Sequence, residues 1–594
     1  MSAVILKGFK KKQLQALVDE IGSSNSSYYF VLSKPTDWPG ANDTPSTPFD
    51  TEEEKYDFRR EIISGKKIKS TDAAFLIRRI NWESGTQYAQ YTDDDSSLYT
   101  KNFFVINSTG RVYKCLYNNN SANSTVEPVE TTTNTFETAD GYIWKYMYTL
   151  TTDANTKFSS SDYIPVVVNT DITTAAVNGS IDVLVINNAG NNYITVADGD
   201  IIQNLGNSTI STTFRIQDAN TNSANGFYNQ AGFYIYYGSG VGQLSQISSY
   251  VSNSTGKFVT TTDNLTDIDT TSKFRISPYI RITGDGTNAT AICTVDNNYT
   301  ISTVSILNRG QNYSYANAAI VANSSYGSGA NVNVVMPPLG GHGSNPVEEL
   351  GGSDLAISIQ HVGSESNTIP TEVEFRKVGI LVDPENYSNS DIYTGNTFTG
   401  MHEFEIATST LGFPKNEVMT SDSATKSGSI IAAYSNTSII KTVGFEGEFD
   451  VFTFSEDFPG NISISGNTIT GNGTAFETSS NGYNFEVSDL ISFNSGSLWY
   501  VYRVSDVISN TEIRVTEADG ITAVNSSISN TAMTYQKYTS DRLLPSTVDG
   551  YAFILDINNP DINRFTGDLI YYNYVEPTQR SNTSVELTKL ILKV

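Results

Sequence analysis

Histidine and cysteine are almost absent from this chain. Among 594 residues there are three histidines, His342, His361 and His402, and two cysteines, Cys115 and Cys293. Zinc centres and most nucleophile–base pairs are built from those residue types, so few such arrangements are open to it. Two cysteines so far apart in sequence read as buried reduced thiols, not as a disulfide framework or a metal site. Long apolar runs are also missing: none reaches the ~18 residues of a membrane-spanning helix. The opening "MSAVILKGFKKK" places its basic residues after a short apolar run, the reverse of a secretory signal. A soluble protein made in a cytoplasm is expected, and the many Asn-x-Ser/Thr triplets then carry no weight as glycosylation sites. Positive charge is scarce. With 37 Lys and Arg against 63 Asp and Glu, the formal charge is −26, which argues against nucleic acid or an anionic membrane as a partner.

What is present is strand-forming. A chain of this length exceeds one hydrophobic core and predicts several domains, and 38% hydrophobic residues suffice to fold them. Helical signals are confined to the start. "KKKQLQALVDEIG" spaces Leu14, Leu17, Val18 and Ile21 along one face and ends at Gly22, and "TEEEKYDFRREIIS" has acids in its first turn and Arg59 and Arg60 later. From 138 to 347 there is no glutamate, while Asn, Thr, Ser, Gly, Val, Ile and Tyr dominate; that is the composition of short strands joined by polar turns. Inside this stretch "IDVLVINNAGNNY" (181–193) matches "ISTVSILNRGQNY" (301–313), pairing Gly190 with Gly310 and Tyr193 with Tyr313. Each copy reads as a strand running into an Asn-rich turn whose glycine needs a positive φ. Further on, "ISISGNTITGNGTAFETSSNGYNFEVSDLISFNSGSLWYVYRVSDVISNTEIRVTEA" reads as five or six strands at the spacing of a small barrel.

Nothing singles out a catalytic centre. His342 lies in the glycine-flanked loop "PPLGGHGSNP", which reads as a structural turn before a ligand. His402-Glu403 lacks the second histidine of a zinc protease helix. Asp93, Asp94 and Asp95 lack the glycine and distal glutamate of a calcium loop and read as a solvated acidic turn. "TDNLTDIDTT" fails the same test at Leu265. "GSGVGQ" and "GSGAN" follow neither nucleotide-binding pattern. A glycosidase-type carboxylate pair is a matter of spatial separation, and no pair stands out. The expectation is no enzyme, no metal and no cofactor. The one concentrated feature is "DGYIWKYMYTL", in which Tyr142, Trp144, Tyr146, Tyr148 and Leu150 alternate with Ile143, Lys145, Met147 and Thr149. Four aromatics on one strand face suit a domain core, then a subunit interface, and last a sugar-stacking platform; Lys145 would mark the solvated side.

Several segments, in order, resemble one family. They are "FKKKQLQALVDEIGSSNSSYYFVLSKPTDW", "LIRRINWESGTQYAQY" with Trp82, "RVYKCLYNN", "DGYIWKYMYTL", "FRKVGILVDP" with Phe375, and "FTGDLIYYNYVEP" with Tyr571. Together they are similar to the T4-type contractile-tail phage baseplate wedge subunit, the gene eight product family, over 1–170, 371–384 and 563–594. The resemblance implies a non-catalytic virion component of a myovirus tail baseplate. It would be assembled in the host cytoplasm as a homodimeric connector joining other wedge proteins around the tail hub. Only structural residues carry over: Tyr142, Trp144, Tyr146, Tyr148, Trp82, Phe375 and Tyr571 as core or interface. The expected fold class is mainly β and multidomain, with a small N-terminal α/β portion and β-sandwich or barrel-like modules set into a β-rich core. The expected organisation is a family core at 1–170, an inserted β domain with the duplicated motif at 171–335, more core at 336–385, an inserted barrel-like domain at 386–540, and C-terminal core strands at 541–594. Rival expectations are a receptor- or glycan-binding adhesin using the inserted modules, and a tail-associated polysaccharide depolymerase.

Overall fold

The β-branched and aromatic residues that replace glutamate in the middle of the chain form antiparallel ladders there, and the same pattern continues to the C-terminus. In the computed structural model strands account for 50% of the chain and helices for 9%, so the fold is mainly β. The structure describes residues 7–593 except 24, 41, 195, 208, 218–219, 322–325, 363–364, 366–368, 407–412, 422–427, 437, 450–457, 480–483, 497, 518–521, 525–527, 529–531, 539–541, 548–551, 582 and 584. The apolar start of "MSAVILKGFKKK" therefore lies outside the described residues. Both early helices form, the second ending at Arg60, with Ile62–Ser64 of its expected span already in the strand Ile62–Lys67. Lys7–Ile21 buries Leu14 and Ile21 and half-buries Leu17 and Val18, the stripe read from the spacing. Glu52–Arg60 is capped by Thr51, whose side chain accepts from the Glu54 N–H, and it buries Phe58.

By internal contacts the chain divides into two units. The first comprises Met1–Leu14, Ala74–Ala356 and Ile591–Val594; the second comprises Gln15–Ala73 and Ile357–Leu590. At the heart of the first is a four-stranded sheet in the order Phe104–Ile106, Arg111–Asn118, Tyr142–Thr149, Thr135–Glu137. It carries an aromatic core that includes Tyr88, Phe103, Tyr113, Tyr142, Trp144 and Tyr148. Ala197–Asn204, Ile210–Ile216, Gly256–Thr266, Leu244–Asn253, Gly232–Tyr237 and Lys273–Ser277 close into a six-stranded barrel. Phe214, Phe233 and Phe274 stack along its interior.

The two copies of the sequence repeat lie at opposite ends of one six-stranded sheet, as Val183–Asn191 and Ile301–Gln311. The Asn-rich ends expected to turn, Asn188–Asn191 and Asn308–Gln311, instead continue these strands, and the two are built alike. Gly190 and Gly310 both have φ +63°, and each donates its N–H to an asparagine two residues earlier, Asn188 or Asn308, at 2.9 Å. A Cβ on either would meet the neighbouring strand's backbone within 2.7 Å, so only glycine fits the left-handed conformation at this point of the strand. Tyr193 and Tyr313 then take equivalent N–H bonds from Ala330 and Ala289. The duplication is structural as well as textual.

In the second unit a five-stranded antiparallel sheet runs Thr397–Thr399, Ile62–Lys67, Tyr28–Ser33, Glu374–Val382, Asp568–Gln579. Buried Arg376 fixes the turn after its Tyr28–Ser33 strand. It donates to both oxygens of Asp43, to Asp37 at 2.8 Å, to Glu374 at 2.9 Å and to the Pro35 carbonyl, and its guanidinium holds the Asp43 carboxyl below the usual range. A closed barrel takes His402–Ile406, Ile439–Gly447, Gly428–Ser435, Glu417–Ser421, Arg542–Pro545 and Ala552–Asn558. Its strands stand on both sides of residue 540, so strand pairing sets the barrel's limits at His402 and Asn558. Within that interval Asn461–Ser465, Thr468–Asn472, Glu512–Glu517, Leu498–Ser509, Leu490–Ser495 and Tyr535–Tyr538 make a six-stranded sheet. Its first strand also pairs at Ile462 with Met533.

Candidate functional site

The strand Tyr142–Thr149 is buried on both faces. Tyr142, Trp144 and Tyr148 have no exposed surface and Tyr146 has 4%. Their polar atoms are turned inward: the Tyr142 hydroxyl bonds the Ala122 carbonyl, Tyr148 bonds the Pro165 carbonyl at 3.0 Å, and Tyr146 pairs with Thr149. Trp144 stacks on Tyr142 (5.4 Å, 18°) with Tyr88 edge-on. Rings without exposed area offer no sugar platform. Trp82 is half-buried against the same core, with its indole N–H on Ser124. In the second unit Phe375 is buried on its strand, and Tyr571, half-buried, stands opposite Ile380.

Lys145 departs from the expected solvated face. It is 1% exposed, and so is Met147. The reason is the loop Pro338–Leu350, which approaches so closely that a Cβ on Gly343 would lie 3.3 Å from the Lys145 Cε and 2.7 Å from Ile172. The Lys145 ammonium donates to the Thr133 carbonyl, and burial holds its pKa down. Lys145→Ala is therefore expected to cost about 2–3 kcal/mol through the lost stem. Lys145→Met, which keeps the volume and removes a desolvated charge, should stay within about 1 kcal/mol of the parent. Denaturant titration of the two variants checks this.

Directly across the ladder from Lys145 is Lys114, in an otherwise apolar run "VYKCLY". Like charges at opposed positions are unfavourable unless countered. The counter-charge is Glu349, from the short helix Pro346–Glu349 whose cap is Asn345. Lys114 Nζ lies 2.9 Å from Glu349 Oε2 and 3.0 Å from His342 Nδ1, and 3.7 Å over the Tyr91 ring centre. Glu349 Oε1 accepts the N–H groups of Gly343 (2.8 Å) and Asn345 (3.2 Å). The side chains of Lys114 and Glu349 are 0% and 2% exposed. Burial pushes the Lys114 pKa down against the pull of Glu349, and burial with the nearby lysines holds His342 well below its ordinary value, hence neutral. His342 occupies the tight turn expected of it. Lys114 and Glu349 were not legible as a pair; the only signal was a lysine in an apolar strand.

The other titratable groups are dispersed. His361 is buried near Phe30 and His402 is stacked on Phe445 at 4.1 Å. Neither ring has a hydrogen-bond partner among the described residues. Cys115 and Cys293 are buried and free. Asp95 of the acidic turn binds Lys101 at 2.5 Å and Ser97 at 2.9 Å, contacts that lower its pKa to about 2. No group of three or more His, Cys, Asp or Glu suited to a metal ion occurs among the described residues. No helix among them is long and apolar enough to cross a membrane. An open polar cleft of ≈510 Å³ in the first unit is lined by Arg78, Arg79, Asn81, Glu83 and Asp162.

The surface of the second unit carries a different kind of feature. Tyr56 (56% exposed) and Phe565 (47%) stack at 5.1 Å and 29°. Phe49, 64% exposed, has its carbonyl held by the hydroxyl of Tyr572 in the same unit. The edge strand Asp568–Gln579 adds half-exposed Ile570, the extra residue where the register slips between Ile380 and Leu381. Pro577 and that bulge disfavour strand addition along this edge. Contact here would run through side chains. No protein-family model matches the chain, and no curated protein matches it.

Proposed function

We propose that the protein is a non-catalytic structural subunit of a contractile-tail phage baseplate wedge, a connector that joins other wedge proteins around the tail hub and self-associates as a homodimer. The observation that carries this reading is the exposed, stacked aromatic pair Tyr56 and Phe565. Tyr56 and Phe565 lie within 1–170 and 563–594, the ranges over which the chain resembles the wedge family, and aromatics are enriched where protein surfaces meet. A Tyr56→Ser/Phe565→Ser double variant is expected to melt as the parent does and to lose co-purification of neighbouring tail proteins. Retained assembly would sink the assignment.

Self-association is assigned to the core segments. Glu403 and Asn558 are cross-strand partners, so the chain enters and leaves the second barrel at one place, and excising 402–558 leaves ends that adjoin. The excised protein should sediment as the same oligomer as the full chain. A folded monomer would move the interface to the excised modules. The adhesin reading rests on Tyr236 and Tyr237 of the first barrel, 36% and 61% exposed. Tyr237→Ser would then reduce adsorption to host cells without affecting tail assembly.

A further inference from the structure

We propose that Lys114 and Glu349 become joined by an amide bond that the folded protein forms by itself, with His342 as the proton carrier. The inference is independent of the role in assembly and rests on the geometry of the buried cluster.

An ion pair sealed from water loses more hydration than its attraction returns unless every remaining lone pair is satisfied. Here the two charged groups are 0% and 2% exposed and touch at 2.9 Å. In such surroundings the neutral amine–acid pair, reached by moving one proton from Nζ to Oε2 along that hydrogen bond, is favoured relative to its place in water. The reaction partners are already in position. The amine lone pair then attacks the Glu349 Cδ, and the carbonyl electrons move onto Oε1. Oε1 already accepts the N–H groups of Gly343 and Asn345 at 2.8 Å and 3.2 Å, a pair of fixed donors aimed at the atom that becomes the oxyanion. The nitrogen of the tetrahedral species gives one proton to His342 Nδ1, which stands 3.0 Å from Nζ and is neutral and able to accept it. When the Oε1 electrons return to the carbonyl, the Cδ–Oε2 bond breaks. The departing hydroxide takes that proton from His342 and leaves as water. One amine and one carboxylic acid become one amide and one water, and no oxidant or reductant enters.

The product fits the same cradle better than the reactants do. Its single N–H keeps the bond to His342 Nδ1, its carbonyl keeps both backbone donors, and no charge remains in the interior. The left-handed glycines Gly341 and Gly343 allow this approach: a Cβ on Gly341 would meet the Val177 carbonyl oxygen at 2.3 Å. Tyr91 closes the side of the cluster over Nζ.

The test is the mass of the full-length protein, purified folded and then denatured. It is expected to be lighter than its sequence by one water. A tryptic digest should contain residues 112–145 linked to residues 310–376, with no cleavage after Lys114. In Lys114→Arg both the mass deficit and the linked peptide should disappear. A parent protein at full sequence mass, cleaved normally after Lys114, would overturn the proposal and leave an ordinary buried ion pair. So would a water deficit with the two peptides still separate, since dehydration at Asp140-Gly141 would give the same intact mass.

Discussion

Trp144→Ala is expected to cost about 3–5 kcal/mol, the usual range for emptying a fully buried tryptophan site. That is a large share of the ~5–15 kcal/mol that holds a typical domain together. Trp144 has no exposed surface, stacks on Tyr142 and meets Tyr88 edge-on, so its removal leaves two aromatic neighbours facing a void. Its strand is the central ladder of the four-stranded sheet, paired at Cys115 on one side and Phe136 on the other, which leaves little room for collapse. The indole N–H has no acceptor among the described residues. Trp144→Phe therefore loses volume without orphaning a bonded group and should cost markedly less. Thermal melting of both variants separates packing from recognition. If Trp144→Ala melts with the parent yet fails to assemble, the ring works at an interface and its place in the core is misread.

How far the sequence could be read follows from the range of each interaction. The helix Glu52–Arg60 is legible from the acids of its first turn and the arginines of its last, and the positive φ of Gly190 and Gly310 from the asparagines around them, because these signals act within a few residues. The β-rich class was legible from composition over long stretches. Lys145 was misassigned because alternation tells which residues share a face, not whether another segment covers it; Gly343, far away in sequence, decides that. For the same reason Lys114 and Glu349 could not be paired. The "VSDLI" region was read as part of a small barrel, and its strands Leu490–Ser495 and Leu498–Ser509 do sit in a six-stranded sheet. The closed barrel around it draws Arg542–Pro545 and Ala552–Asn558 from beyond the expected boundary at 540, because ring closure is set by pairing between distant strands.

Acid should destabilise the protein well before its carboxylates titrate. All three histidines are buried. Burial, with nearby Arg580 and Lys66, lowers His361 to about 4; burial and Arg564 lower His402 to about 3; burial and the nearby lysines hold His342 well below its ordinary value. A histidine that stays neutral when folded and takes a proton when unfolded near pH 6.5 makes the unfolded state bind more protons. Its contribution is complete above pH 6.5 and is lost as the pH falls toward the folded value. At pH 5, about 1.5 units below the unfolded pKa, each histidine has withdrawn about 2 kcal/mol. Two of them, His361 and His402, belong to the second unit, so that unit loses about 4 kcal/mol. The carboxylates act in a lower window. Asp95 and Asp285 are lowered to about 2, and Glu365 and Glu417 are also lowered, so their contributions are lost as the pH falls through the ordinary carboxylate range toward the folded values. Melting temperature should thus fall between pH 6.5 and pH 5, and a His361→Leu/His402→Leu variant that folds at pH 7.5 should show a much flatter profile over that interval. Neither ring has a hydrogen-bond partner among the described residues, so leucine leaves no bonded group behind. An equally steep decline in the double variant would place the acid sensitivity in some other group.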